Sequence, residues 1–104
     1  MAHLIVTDGP SRGQTYALAS PSVLVGRDPS CAIPIADERI SRRHLQVAYD
    51  ETQERHVAVD VGSSNGVFVN GERLVRGSER VLGHGDEIVI GGSTLRYASH
   101  RDPS

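Results

Sequence analysis

Hydrophobic positions along this chain alternate with polar ones in short runs, and breaker-rich stretches divide the runs. Over residues 44–49, Leu45, Val47 and Tyr49 fall on one face and His44, Gln46 and Ala48 on the other. Such period-two alternation predicts a strand buried on one side. Val57, Val59 and Val61 alternate in the same way. Residues 4–6, 14–18, 23–25, 66–69, 80–82, 87–90 and 94–97 read as further strands. Turn clusters bound them, among them Asp8-Gly9-Pro10-Ser11-Arg12-Gly13 and Gly83-His84-Gly85-Asp86. Residues 32–35 predict a very short strand, which Pro34 places at a sheet edge. Asn70-Gly71 is a strong two-residue hairpin signal. No window sustains a helical period, and the one helical turn expected lies at residues 37–40. Ten or so short strands with glycine-rich turns predict an all-β sandwich or barrel.

Length makes this a single domain: 104 residues support one modest core without metals or disulfides. With Phe68, three tyrosines and no tryptophan, that core must be mainly Val, Ile and Leu. The expected body runs over residues 1–98, followed by a polar tail at 99–104. Such a chain is either a complete small protein or a module of a larger multidomain one. Cys31 stands alone, so no internal disulfide forms and a reducing compartment fits. The N-terminus shows no charged region ahead of an apolar run, so no signal peptide is expected. No stretch is long enough to span a bilayer as a helix.

The net charge is −2, without the positive excess of a general nucleic-acid binder. All eleven basic residues are nevertheless Arg. A codon bias toward GC accounts for that as readily as function does, yet Arg is also the side chain that clamps phosphate with paired hydrogen bonds. Three loops carry polar residues beyond what a turn demands: Gly26-Arg27-Asp28-Pro29-Ser30, Arg39-Ile40-Ser41-Arg42-Arg43-His44, and Asp60-Val61-Gly62-Ser63-Ser64-Asn65-Gly66. Guanidiniums, hydroxyls, an amide and glycine-flanked backbone N–H groups are mostly donors. Donors gathered at one point favour an anion, and a phosphate dianion accepts several at once. Hydrogen bonds to a charged group contribute about 1.5–3 kcal/mol each. Three or four of them, less the cost of ordering a peptide, leave micromolar affinity, about −8 kcal/mol.

Gly26-Arg27, Ser41-Arg42-Arg43-His44, Gly62-Ser63-Ser64-Asn65-Gly66 and Asn70-Gly71 together resemble the pattern of the forkhead-associated (FHA) domain, in its order and at its spacing. Each piece alone is weak; the ordered set is specific and covers about residues 4–97. The resemblance implies an eleven-stranded, mainly antiparallel β-sandwich whose loops at one end bind phosphothreonine peptides in Ser/Thr kinase signalling. It also implies that the three loops share one end, a step that the strand pattern does not supply.

Residue by residue, the resemblance implies that Arg27 contacts the phosphate and that Ser41 donates its hydroxyl to it. Arg42 stands where a second phosphate contact is frequent. Asn65 matches the asparagine that binds the peptide backbone, and Ser64 stands beside it where the threonine methyl is received. Arg39 lies where some members read the side chain three positions after the phosphothreonine, and an Arg would favour an acidic residue there; pairing with Asp37 or Glu38 is an equal alternative. Gly26, His44, Gly66 and Asn70 are expected to shape the loops, and Arg43 to be a solvated strand-entry charge. Val67 and Leu45 depart from the pattern, as packing variation. The implied partner is a phosphothreonine-containing protein, with no cofactor, metal, nucleic acid or membrane, and the cytoplasm as the natural location.

Two rival readings differ in class. Gly62-Ser63-Ser64-Asn65-Gly66 satisfies the G-x-S-x-G elbow of serine hydrolases, with Asp60 and His44 as nominal partners. That elbow needs a following helix and a large α/β sheet, whereas a strand is predicted at Val67-Phe68-Val69. The other rival is a phosphate-independent interaction or oligomerisation module on the same fold.

Overall fold

The computed structural model describes residues 2–99, so the expected tail lies outside the described residues apart from Ser99. Eleven strands follow in chain order: β1 (His3–Asp8), β2 (Thr15–Ala17), β3 (Ser22–Gly26), β4 (Ile33–Pro34), β5 (Leu45–Asp50), β6 (Arg55–Asp60), β7 (Val67–Val69), β8 (Glu72–Arg73), β9 (Glu79–Val81), β10 (Glu87–Ile90) and β11 (Ser93–Ala98). They form a six-stranded sheet, β2-β1-β11-β10-β7-β8, and a five-stranded sheet, β4-β3-β5-β6-β9. The short β3–β4 pair is parallel, and Pro34 sits on that edge. Of the sandwich and the barrel that the alternation left open, the fold is the β-sandwich that the resemblance implied.

Leu4 and Val6 of β1, Leu95 of β11 and Ile88 and Ile90 of β10 supply the inner face of one sheet. Val25 of β3 and Leu45 and Val47 of β5 supply that of the other, and all eight are essentially inaccessible to water. At roughly 25 cal/mol per Å² of apolar surface buried, each contributes on the order of 2 kcal/mol.

Strand β6 differs from its expected facing. Leu45 pairs with Asp60 and Val47 with Ala58, and residues directly opposite in an antiparallel pair share a face. Ala58 and Asp60 therefore point inward, and the Val57/Val59/Val61 set points away from Leu45 and Val47. Val57 is still covered, while Val61 lies beyond the strand and is exposed. His44 also departs from its expected polar face: it is completely buried, ahead of β5 rather than within it. Tyr49, expected on the core face, lies near the end of β5 and is 41% exposed. Residues 37–40 form a single turn closed by Ile40 N–H donating to Asp37 carbonyl (2.9 Å), not a helix.

Candidate functional site

The β3–β4, β4–β5 and β6–β7 loops meet at one end of the sandwich, tied together by backbone and side-chain hydrogen bonds. Strand β3 ends at Gly26, where a Cβ would lie 2.0 Å from the Arg42 carbonyl oxygen. Only glycine lets the two loops approach this closely. Arg27 N–H then donates to Ser41 carbonyl (3.0 Å), and Arg27 Nε–H donates to Ile40 carbonyl (3.1 Å). The side chain is thereby fixed at its root, while its two terminal nitrogens have no partner among the described residues. A surface cavity of about 350 Å³ is lined by Arg27, Asp28, Pro29 and Arg42, so two arginines border it. Asp28 does not face them unoccupied: its Oδ1 accepts from Ser30 N–H (2.9 Å), a bond that lowers its pKa.

His44 is the hub beneath this end. Its Nδ1 accepts from Ser41 N–H (3.0 Å), and its Nε2 lies 2.7 Å from Gly66 carbonyl. A carbonyl only accepts, so the proton sits on Nε2 and Nδ1 is the acceptor. One buried ring thus fixes two loops at once. Above it, Ser64 N–H donates to Ser41 Oγ (3.0 Å). A hydroxyl that accepts still has its own proton to give, so Ser41 is left as a donor toward solvent. Asn65 Nδ2 donates to Arg39 carbonyl (2.8 Å), which adds a third link between the same loops.

The 60–66 loop has its own scaffold, which the motif reading missed. Buried Asp60 accepts from Gly62 N–H (2.9 Å) and Ser63 N–H (2.8 Å) through Oδ1 and from the Ser63 hydroxyl (2.9 Å) through Oδ2. Ser63 Oγ in turn accepts from Gly66 N–H (3.0 Å). Burial pushes the Asp60 carboxyl up, but the bonds from Ser63 and Gly62 outweigh it and hold the pKa below the ordinary value. Asp37 plays the matching part for the 37–41 segment. It is buried and accepts from Arg39 N–H, Gly92 N–H and the Ser93 hydroxyl, at 2.8–2.9 Å. An Asp followed two or three residues later by a Gly or Ser amide is a turn-capping signal, and Asp60 before Gly62-Ser63 carried it.

A family model described as the FHA domain matches residues 23–91. The chain belongs to the FHA domain family. An oxoglutarate dehydrogenase inhibitor of Corynebacterium efficiens is 42% identical over 92% of this FHA domain, and the glycogen accumulation regulator GarA of Mycolicibacterium smegmatis is 38% identical over the same share. The chain spans 64% and 58% of those two proteins' lengths. Among solved structures, an FHA domain studied for phosphothreonine-dependent interactions superposes with a TM-score of 0.83 at 31% identity, covering 97% of this chain and 98% of that one. The FhaA FHA domain, solved in complex with the intracellular domain of Rv3910, gives 0.80 at 31% identity over 93% and 99%.

Of the positions singled out in this FHA domain, Arg27, Ser41, Arg42, Ser64 and Asn65 come together at the loop end. Arg39 is exposed, but its guanidinium packs against Gly92 and adds its charge beside Asp37. Gly66 has φ +88°, a region that favours glycine, and the Arg73 guanidinium lies against it. Asn70 sits apart, at φ +51°, with Nδ2 donating to Asp86 (3.0 Å) and Oδ1 accepting from Glu87 N–H (3.0 Å). The hydrolase elbow fails on geometry. Strand β7 follows Ser64, and both His44 nitrogens are engaged by backbone groups. Among the described residues no helix is long and apolar enough to cross a membrane.

Proposed function

We propose that this FHA domain binds a phosphothreonine-containing segment of a partner protein through the loop end. The observation that carries the reading is Arg27. Its Nε is anchored to the Ile40 carbonyl, one residue before Ser41, and its outer fork is left unpartnered at the rim of the Arg42-lined cavity. In this reading Arg27 and Arg42 hold the phosphate, and the Ser41 hydroxyl donates to it. Asn65 holds the peptide backbone through its amide oxygen, and Ser64 borders the threonine methyl. Arg39 favours an acidic side chain downstream, with Asp37 dividing its attention. Gly26, His44, Gly66 and Asn70 act by shaping the loops.

The preference for threonine rests on the relatives, whereas the preference for phosphate also rests on the donor chemistry. The working unit is residues 1–98, a non-catalytic module of Ser/Thr kinase signalling in the cytoplasm. An oriented phosphothreonine peptide library, followed by anisotropy titration of the selected peptide, tests it. Arg27→Ala is expected to weaken binding by about 2–5 kcal/mol, the loss typical of one partner of a desolvated charge pair, in a domain that stays folded although the Ile40 carbonyl loses its donor. Equal affinity for the phosphorylated and plain threonine forms would remove the reading.

A further inference from the structure

A second concave feature lies at the opposite end of the sandwich. Strands β5 and β6 run from the binding loops at Leu45 and Asp60 to Asp50 and Arg55, about 17 Å at the rise of a strand. There the two sheets part and leave a cleft of about 490 Å³. Its wall is a chain of rings contributed by both sheets. Tyr49 meets His56 edge-on with centroids 5.1 Å apart, and His56 meets Tyr97 at 5.4 Å. Tyr97 Oη and His56 Nδ1 are 2.6 Å apart, which fixes the rings relative to one another. Burial lowers the His56 pKa and raises that of Tyr97, which favours the neutral form of both rings.

The rim carries Glu51 and Glu54, and among the described residues no Lys or Arg lines the cleft. Neither carboxylate has a hydrogen-bond or ion-pair partner among the described residues. Asp50, by contrast, is folded back onto Thr52 and Gln53, so the turn is capped without the glutamates. Glu54 adds an independent sign. Its φ is +52°, a conformation in which glycine or asparagine is cheap and a glutamate is strained. The chain places a charged side chain at a position where the backbone favours none, and strain of this kind collects at binding positions. The electron-rich faces of tyrosine rings, flanked by carboxylates, suit a cation that has shed part of its water.

We propose that this cleft is a second docking site, which takes an arginine or lysine side chain of a partner polypeptide at the end opposite the phosphate-binding loops. It is independent of the phosphothreonine reading, since none of its residues touches those loops. Occupancy of both ends would let one domain bridge a phosphorylated segment and a basic one.

The test is an amide-resolved NMR titration with the capped peptide Ac-Gly-Arg-Arg-Gly-NH2, against Ac-Gly-Leu-Leu-Gly-NH2 and Ac-Gly-Glu-Glu-Gly-NH2. The arginine peptide is expected to saturate with a dissociation constant on the order of a millimolar, moving amides of Tyr49, Glu51, Glu54 and His56 and leaving those of Ser41 and Ser64 in place. Glu51→Gln with Glu54→Gln is expected to weaken it at least about fivefold. Glu54→Gly separates binding from folding, because it removes a carboxylate while relieving the backbone. It is expected to melt no lower than the parent yet to bind more weakly. The proposal is overturned by equal shifts from the leucine peptide, by unchanged affinity in Glu54→Gly, or by concentration-dependent shifts at the cleft without peptide, which would assign it to a second copy of the chain.

Discussion

Asp60→Asn isolates the scaffold beneath the 60–66 loop. The carboxylate accepts three hydrogen bonds in a site only 3% exposed. An amide keeps an oxygen for the Gly62 and Ser63 N–H groups, but as a neutral acceptor about half as strong. Its nitrogen then faces the Ser63 hydroxyl, whose proton loses its acceptor. Two charged bonds weakened by about 1 kcal/mol each and a third, worth about 1.5–3, lost outright give about 4 kcal/mol. Relief of burying a charge returns on the order of 1 kcal/mol, for a net loss of about 3. For a domain of this size that is a fall in melting temperature of about 15 °C.

The pH dependence follows from the depressed pKa. A carboxyl held below its unfolded value contributes stability that is full above the unfolded pKa, about 3.9, and is lost as pH falls through the folded one. Melting followed by circular dichroism should therefore show a gap between parent and variant at about pH 7 that narrows progressively below about pH 4. A variant melting with the parent at neutral pH, or a gap that persists unchanged into acid, would show that the loop does not depend on this carboxylate.

His44→Phe keeps the ring volume but strips partners from Ser41 N–H and Gly66 carbonyl, each costing about 1–3 kcal/mol if left dry. Chemical denaturation should show a loss of about 2–5 kcal/mol, and the surviving folded fraction should bind phosphopeptide more weakly. Gly26→Ala drives a methyl into the Arg42 carbonyl; a soluble variant with parental stability would contradict the close approach of the two loops. Asn70→Ala, away from the loop end, is expected to cost about 1–2 kcal/mol of stability with phosphopeptide affinity in the native state unchanged, checked by parallel denaturation and anisotropy titrations.

The strands were legible because alternation reports which side of a strand is wet, and their order was legible because breakers stand between them. Strand β8 escaped because Glu72 and Arg73 are both exposed, so no alternation marks them; only the Asn70-Gly71 turn implies a returning arm. The facing of β6 was misread because valines mark a strand without saying which of its faces is inside. There the inward positions go to a small residue and to a carboxylate that caps the next loop. The loop residues Arg27, Ser41 and Asn65 stood out as donors, but their sharing of one end is a property of topology: Gly26, His44 and Asp60 are distant in sequence and adjacent in space. Tyr49 and the two glutamates went unnoticed because an aromatic at a strand end reads as core, and charges in a turn read as solvated.

The pairing of β1 with β11 has a mechanical meaning. Their register runs from His3 opposite Ala98 to Asp8 opposite Thr94, so residues 2 and 99 lie at the same end of the pair. Tension applied between them does not shear the pair, with its hydrogen bonds loaded together. It opens the ladder like a zipper, one rung at a time from His3 inward, and withdraws Leu4 and then Val6 from the core. The end that yields first under load is thus the one farthest from the Arg27 and Ser41 loops, and those loops are reached only after the pair has parted along its length.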